Sequence, residues 1–203
     1  LVGRITYINV TKGSKYTKLV LNQKIYDSKT IPYKRGDILD RNGTKIATSE
    51  RVYNVILDVV VMTDKEEYID PTIKVLNKCF GISEKTVREI VEEKPNSRYI
   101  VLKKGIDYET AQKYNEIKND TENYPNVKGI WLEDDYNRTY PYNTLASDVI
   151  GFTYSGNIGA IGIESAYNDV MTGTDGREYG YLDEDDTVEQ NVKAAKNGNN
   201  VVT

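Results

Sequence analysis

Arginine and acidic side chains recur close together in three short segments of this 203-residue sequence. The first segment spans residues 35–43 and carries two Arg and two Asp, whereas the other two segments carry Arg138 and Glu164. An Arg guanidinium can bind a carboxylate through two parallel hydrogen bonds, so such pairs fix distant segments of a chain relative to each other. The residues expected to form these pairs are Arg35, Asp37, Asp40, Arg41, Arg138 and Glu164.

Glycine and asparagine accompany these charges. Asn42-Gly43 predicts a turn, because both residues readily take a positive φ. Glycines near the other charged residues are expected to permit close approach of the backbone; they are Gly36, Gly159, Gly162, Gly173 and Gly176. The favoured interpretation of the whole set is structural. Direct binding of a ligand by Arg138 and Glu164 is the alternative.

The composition limits the chemistry that the chain can perform alone. It has no His, so it cannot build a Ser-His-Asp triad, a Cys-His pair or a His-ligated zinc site. A net charge of −4 without a Lys/Arg-rich run gives no reason to expect nucleic acid as a partner. No metal or cofactor is predicted, since Asp183-Glu184-Asp185-Asp186 lacks the ligand spacing of an EF-hand loop. Paired carboxylates leave glycoside hydrolysis as a minor alternative.

The chain is expected to begin with helical structure in residues 1–26. Residues 52–61 are rich in β-branched and aromatic side chains, which predicts a strand. Shorter strands are expected at residues 98–102 and 127–132, and residues 197–203 look like a turn that enters a strand. No apolar run approaches the ~20 residues that a membrane-spanning helix requires.

Three helices are predicted between these strands. The first has Asp70 as its N-cap, Pro71 at its first position and Gly81 just past its end. Ser83 caps the second helix and Asp107 caps the third. Cys79, the only cysteine, falls on the first helix, where a small buried apolar residue is expected.

These elements predict an α+β fold in three parts. Residues 1–61 contain the N-terminal helix and the first part of a mainly β framework. Residues 62–135 form an inserted small α/β block, here called the head, and residues 136–203 complete the framework.

Three sequence motifs resemble the signatures of the N-terminal module of class B penicillin-binding proteins, the transpeptidases that cross-link peptidoglycan. The first signature is matched by Arg35-Gly36-Asp37-Ile38-Leu39-Asp40-Arg41-Asn42-Gly43. The second, Arg-x-Tyr-Pro-x-Gly, is matched by Arg138-Thr139-Tyr140-Pro141-Tyr142, with Asn143 in place of the usual Gly. The third is matched by Gly159-Ala160-Ile161-Gly162-Ile163-Glu164, followed by Gly173 and Gly176. Asn is the commonest non-Gly residue at positive φ, so the turn at Asn143 can survive.

The resemblance implies an elongated pedestal, made of residues 1–61 and 136–203, that carries the head. In that family the three signatures cluster where the pedestal meets the transpeptidase domain. The family's catalytic Ser-x-x-Lys motif is missing, because no Ser of this chain has Lys three places on. The chain is therefore predicted to be the non-catalytic part of a serine-type D,D-transpeptidase.

The resemblance also implies the location and the partners of the chain. The sequence starts at Leu1 without Met, which predicts a piece trimmed of a single membrane anchor and located on the extracytoplasmic face. Expected partners are the chain's own transpeptidase domain, a membrane glycosyltransferase, other proteins of elongation, division or sporulation, and a second copy in a homodimer. The alternative functions are a free-standing cell-wall scaffold or binding module, and a sensor with a degenerate penicillin-binding domain.

Overall fold

The computed structural model describes residues 29–143, 147–154, 157–182 and 188–203. The helix predicted in residues 1–26 and the acidic run Asp183-Glu184-Asp185-Asp186 lie outside the described residues. The described part mixes strands with helices, which confirms the predicted α+β class. In this part of the chain, no helix is long and apolar enough to span a membrane.

A long antiparallel pair of strands is the central feature of the fold. Strand β3 (Lys45–Leu57) pairs with β5 (Ile130–Thr139) without interruption, from Thr48 opposite Thr139 to Leu57 opposite Ile130. Near one end, β3 also pairs with β4 (Ile100–Ile106). Near its other end it pairs with β2 (Ile38–Leu39), which lies parallel to β10 (Val201–Val202).

The sequence predicted a strand up to residue 61, but β3 ends at Leu57. The Asp58 carboxylate accepts a hydrogen bond from Val61 N and starts the short helix α1 (Val59–Met62). A side-chain cap thus overrides the β-propensity of three consecutive valines. The strands predicted at 98–102 and 127–132 are present as β4 and β5, and both continue several residues further.

The prediction that Asp70 caps the next helix is wrong. Helix α2 (Glu66–Phe80) already begins at Glu66, and both Asp70 and Pro71 lie inside it. Glu66 and Glu67 favour the earlier start because acidic side chains stabilise the positive end of the helix dipole. Asp70 instead pairs with Arg88 at 2.9 Å.

The ends of the other helices agree with the sequence analysis. Gly81 ends α2 in the left-handed conformation, with φ at 68°. Ser83 caps α3 (Glu84–Glu93) and Asp107 caps α4 (Tyr108–Asn119), in each case by accepting a backbone N–H three residues on.

The described residues form two separate clusters of buried side chains. The head core packs β3, β4 and β5 against α2, α3 and α4, and its members include Leu57, Leu76, Val87 and Tyr114. Cys79 lies half-buried beside it. The pedestal core is smaller and consists of Ile38, Ala47, Ile150, Met171 and Val201.

Burial of the Cys79 side chain raises the pKa of its thiol, which favours an unreactive residue.

The rest of the described pedestal consists of two further groups of paired strands and three short helices. Strands β1 (Lys29–Ile31), β8 (Gly176–Leu182) and β9 (Val188–Lys193) form an antiparallel sheet. Strands β6 (Thr153–Tyr154) and β7 (Ile158–Gly159) pair with each other. Three short helices complete this region: α5 (Ser147–Ile150), α6 (Gly162–Ala166) and α7 (Asn168–Met171).

Candidate functional site

A fully buried carboxylate lies between two arginines in the pedestal. Glu164, at the start of α6, accepts from Arg35 Nε on its Oε2 atom at 2.9 Å and from Arg138 Nε on its Oε1 atom at 2.7 Å. Arg35 precedes β2 and Arg138 lies near the end of β5, so one carboxylate joins three distant segments. We call these three residues the Arg-Glu-Arg cluster.

The Arg35 guanidinium uses its remaining donors on oxygen atoms of the third segment. Its Nη2 atom donates to the backbone oxygen of Glu164 at 2.8 Å. Its Nη1 atom lies 3.1 Å from each of three acceptors: Asn157 O, Asn168 Oδ1 and Thr172 Oγ1. Arg35 has no exposed surface, so every one of these contacts replaces a hydrogen bond to water.

Arg138 ties the second segment to the first. Its Nη1 atom donates to Gly36 O at 2.8 Å and to Ser49 Oγ at 3.2 Å. The Tyr140 hydroxyl also donates to Glu164 Oε1, at 3.3 Å. Burial, together with the negative charge of Glu164, raises the pKa of Tyr140, so its hydroxyl stays a donor at neutral pH.

The Arg-Glu-Arg cluster holds two positive charges and one negative charge away from water. Desolvating charged groups costs several kcal/mol per ion, and this cost is offset only when all of them are paired and hydrogen-bonded. The described part of the chain contains no buried side-chain nitrogen or oxygen that lacks a hydrogen-bond partner. A cluster of this kind opposes displacement of the three segments that it joins, because displacement would leave a buried charge unpaired.

Asp37 has a different partner set from the one predicted. It contacts Lys34 and Lys45 rather than an arginine, with Lys45 Nζ at 3.1 Å from Oδ2. The Thr48 hydroxyl donates to Asp37 Oδ1 at 2.8 Å. Burial alone raises the pKa of Asp37, but the Thr48 hydroxyl and the two ammonium groups outweigh it and hold that pKa below its ordinary value.

This lowered pKa gives the pedestal a defined response to acid. A carboxyl whose pKa is lower in the folded than in the unfolded state stabilises the fold above its unfolded pKa, about 3.9. That contribution is lost as the pH falls through the folded pKa. We expect the difference in the free energy of unfolding between the wild type and Asp37→Asn to be larger at pH 7 than at pH 3. Chemical denaturation at both pH values measures it, and Asp64→Asn, at an exposed acid, is the control. A difference that is the same at both pH values would contradict the assignment.

The remaining residues of segment 35–43 form a turn and not an ion pair. Asp40 Oδ1 accepts from Asn42 N and Thr44 N, each at 2.8 Å. Gly43 N donates to Asp40 O, and Gly43 has φ at 82°. Arg41 is exposed and forms no ion pair with the described residues. Neither Asp40 nor Arg41 therefore forms one of the expected arginine–carboxylate pairs with the described residues, since the Asp40 carboxylate accepts backbone N–H groups of its own turn.

The predicted glycines lie where two backbone segments meet. A Cβ atom at Gly36 would overlap Asn199 O, and one at Gly159 would overlap Glu164 O. A Cβ atom at Gly173 or Gly176 would meet Lys196 O or Lys193 O, respectively. Gly162 starts α6 and packs on Val149 O. Pro141 and Tyr142 form the centre of a turn that Asn143 closes with φ at 49°.

Sequence reasoning missed several asparagines that complete the site. Asn168 Oδ1 accepts from Arg35 Nη1 and also from Gly159 N at 3.0 Å. Asn197 Oδ1 accepts from Lys34 N, and Asn200 Oδ1 accepts from Asp37 N. No local pattern identifies such residues, because their partners are up to 163 positions away. The Asn-rich stretch before β10 was the only available signal.

Comparisons with known proteins place this geometry in a family. The family model described as the penicillin-binding protein dimerisation domain matches residues 30–203. Among the curated relatives is the peptidoglycan D,D-transpeptidase FtsI of Buchnera aphidicola, which is 26% identical over 182 residues covering 88% of this chain. Stage V sporulation protein D of Bacillus subtilis is 29% identical over 183 residues covering 89% of it.

Solved structures show the same fold. Penicillin-binding protein 2X of Streptococcus thermophilus superimposes with a TM-score of 0.63 at 25% identity, over 87% of this chain and 29% of that protein. A complex between PBP2 and MreC of Helicobacter pylori has a TM-score of 0.60 at 24% identity, over 88% of this chain and 36% of the solved chain. Because the identity to PBP2 is only 24%, this second similarity shows a shared fold and nothing further.

The chain belongs to the penicillin-binding protein dimerisation domain family, and it corresponds to the pedestal region of class B penicillin-binding proteins. It spans only 30% and 26% of the lengths of the two curated relatives named above.

Proposed function

We propose that this chain is a non-catalytic, extracytoplasmic module of a peptidoglycan transpeptidase. It would hold the penicillin-binding domain in a fixed pose and mediate protein–protein contacts during cell-wall synthesis. Membership of the family and the names of the relatives support the parent activity. The absence of a Ser-x-x-Lys motif in the sequence supports the non-catalytic role of this part.

The Arg-Glu-Arg cluster is the observation that carries the positioning role. It locks segments around residues 35, 138 and 164 into one unit, and β10 lies in parallel beside β2 within that unit. Any domain that follows β10 would thus be attached next to the segments that the Arg-Glu-Arg cluster joins. We also propose that the chain contacts a membrane glycosyltransferase and forms a homodimer.

Covalent labelling by a fluorescent penicillin tests the parent activity. We expect labelling of the full-length gene product and none of the 203-residue chain. Labelling of the short chain would show a nucleophile in this part and overturn the non-catalytic role. Labelling of neither form would favour a scaffold or a sensor.

The positioning role is tested in the full-length protein with Arg138→Ala. We expect lower stability and lower transpeptidase activity, because this change leaves Glu164 and the Gly36 carbonyl with fewer partners. The control is Arg88→Ala, at a half-exposed arginine on α3. If the Arg138 variant behaves like the Arg88 variant, the positioning role is wrong.

A further inference from the structure

No strand of the described structure pairs with the outer edge of β5, but side chains occupy this edge at two points. The Tyr114 hydroxyl donates to Ile130 O, and Tyr136 N donates to Asp135 Oδ1, which leaves the stretch from Leu132 to Asp134 between them.

Strand β5 pairs with β3 on one side only. Asp58 N donates to Gly129 O, so the odd-numbered residues around β5 direct their backbone groups toward β3. The even-numbered residues Leu132 and Asp134 consequently direct their N–H and C=O groups outward, where they can pair with an added strand.

A preformed group of aromatic and acidic side chains lies on one face of the sheet. Trp131 and Glu133 of this group belong to the edge strand β5, and Tyr99 precedes β4, which pairs with β3 from the other side. Glu133 Oε2 accepts from the Tyr99 hydroxyl at 2.7 Å, and Glu133 Oε1 accepts from Trp131 Nε1 at 3.0 Å. The two aromatic rings are 6.2 Å apart and inclined at 58°. Tyr99 is 55% exposed, although it touches Trp131 and Glu133. We call these three side chains the aromatic notch.

The notch carries a negative charge that pairs with no cation of the described residues. Its two hydrogen-bond donors are neutral, and burial together with the bond to Glu133 raises the pKa of Tyr99 to about 12, so the phenol stays protonated. Asp135, two residues along the same face, accepts from Asn54 Nδ2 and Tyr136 N. Within the described ranges, no Lys or Arg nitrogen lies within 4.0 Å of the carboxylate of Glu133 or Asp135.

This chemistry fits a cationic partner strand better than a second copy of the chain. Two β5 edges that paired antiparallel around Asp134 would bring Glu133 opposite Asp135, and like charges directly opposite destabilise a sheet. A strand with Arg or Lys at alternate positions would place its cations about 7 Å apart, which matches the spacing of Glu133 and Asp135. A cation can also lie over the faces of Trp131 and Tyr99.

We propose that the outer edge of β5 and the aromatic notch bind an extended segment of a partner protein that carries Arg or Lys at alternate positions. The partner adds a strand through the backbone of Leu132 and Asp134 and places one cation in the notch. This proposal rests on the protein–protein contacts of the proposed function and identifies their chemistry. The surface lies in the head, away from the Arg-Glu-Arg cluster. This proposal and the proposed positioning role can therefore fail separately.

The only tryptophan of the chain reports binding directly. The probe is a capped peptide, Thr-Val-Arg-Val-Arg-Val-Thr, titrated into the 203-residue chain while Trp131 fluorescence is recorded. The matched peptide carries citrulline in place of both arginines, which removes the charge and keeps nearly the same side-chain shape. We expect a saturable change with the Arg peptide and an affinity about tenfold weaker with the citrulline peptide.

Protein variants complete the test. Glu133→Gln should weaken binding of the Arg peptide by about fivefold, whereas Glu122→Gln, at an exposed acid elsewhere in the head, should leave it unchanged. The proposal would be overturned by any of three results: equal affinities for the two peptides, no change in Trp131 emission on adding the Arg peptide, or equal losses of affinity in the Glu133 and Glu122 variants. A fluorescence change that depends on protein concentration without peptide would show that a second copy occupies the edge, and would overturn it too.

Discussion

Replacing Glu164 by Gln is expected to lower the free energy of unfolding by about 3–5 kcal/mol, because it removes the only negative charge of a buried cluster. Arg35 and Arg138 would then lie in the pedestal without a counter-charge. The Gln amide keeps the size of the side chain but turns an NH₂ group toward an arginine donor. For a chain of this size, the loss corresponds to a fall in Tm of roughly 6–20 °C.

Thermal and chemical denaturation of the 203-residue chain measure this effect. Glu89→Gln is the matched control, since Glu89 is exposed and, among the described residues, pairs with Lys85 alone, at 3.7 Å. Surface pairs of that kind contribute about 0–1 kcal/mol. A Glu164 variant that loses less than about 1 kcal/mol would show that the cluster relaxes or that water reaches it, and the rigid-cluster interpretation would be wrong.

The second large effect is expected from Gly36→Ala, which should cost about 3 kcal/mol, at the upper end for overpacking. A Cβ atom at this position would overlap the backbone oxygen and carbon of Asn199. The backbone cannot move away freely, because Gly36 N donates to Met171 O at 2.9 Å and Gly36 O accepts from Arg138. The methyl group would therefore push apart the first signature and the stretch before β10.

Gly43→Asn separates this clash from the general effect of losing a glycine. Gly43 has a positive φ, which Asn tolerates, and a Cβ atom there would have nothing within 4 Å. We expect this control to lose less than about 1 kcal/mol. Equal losses at Gly36 and Gly43 in urea denaturation would mean that the contact with Asn199 is not the reason why glycine stands at residue 36.

The fold was predictable from sequence where local signals decide it. Ser83, Asp107 and Gly81 mark helix ends through contacts within a few residues, and the predictions at all three are confirmed. The start of α2 was predicted wrongly because Asp70 and Pro71 imitate a helix start that the acidic residues before them overrule. The predicted boundaries of the head, residues 62 and 135, remain a proposal. The two separate cores support it, although β3 and β5 run on through both parts.

The site was only partly predictable. The motif spacing indicated that Arg35, Arg138 and Glu164 belong together, because the resemblance supplied information from distant parts of the chain. It did not indicate which acid pairs with which base, and Asp40 and Arg41 were assigned wrongly. Which acid each arginine binds depends on burial and on asparagine acceptors such as Asn168. The contacts of these asparagines arise only in the folded state. The role of the motif residues at an interdomain contact stays a prediction.

Because β3 pairs with β5 without interruption, the segment between Val52 and Asp135 could be exchanged as one unit. Val52 and Asp135 lie directly opposite each other, so both strands that lead into residues 53–134 can be cut at one rung of the ladder. Strands at such a rung can be rejoined by a two-residue Asn-Gly hairpin, or grafted onto the matching rung of a related protein. Chimeras built in this way would keep the Arg-Glu-Arg cluster intact and change only what the head presents to its surroundings.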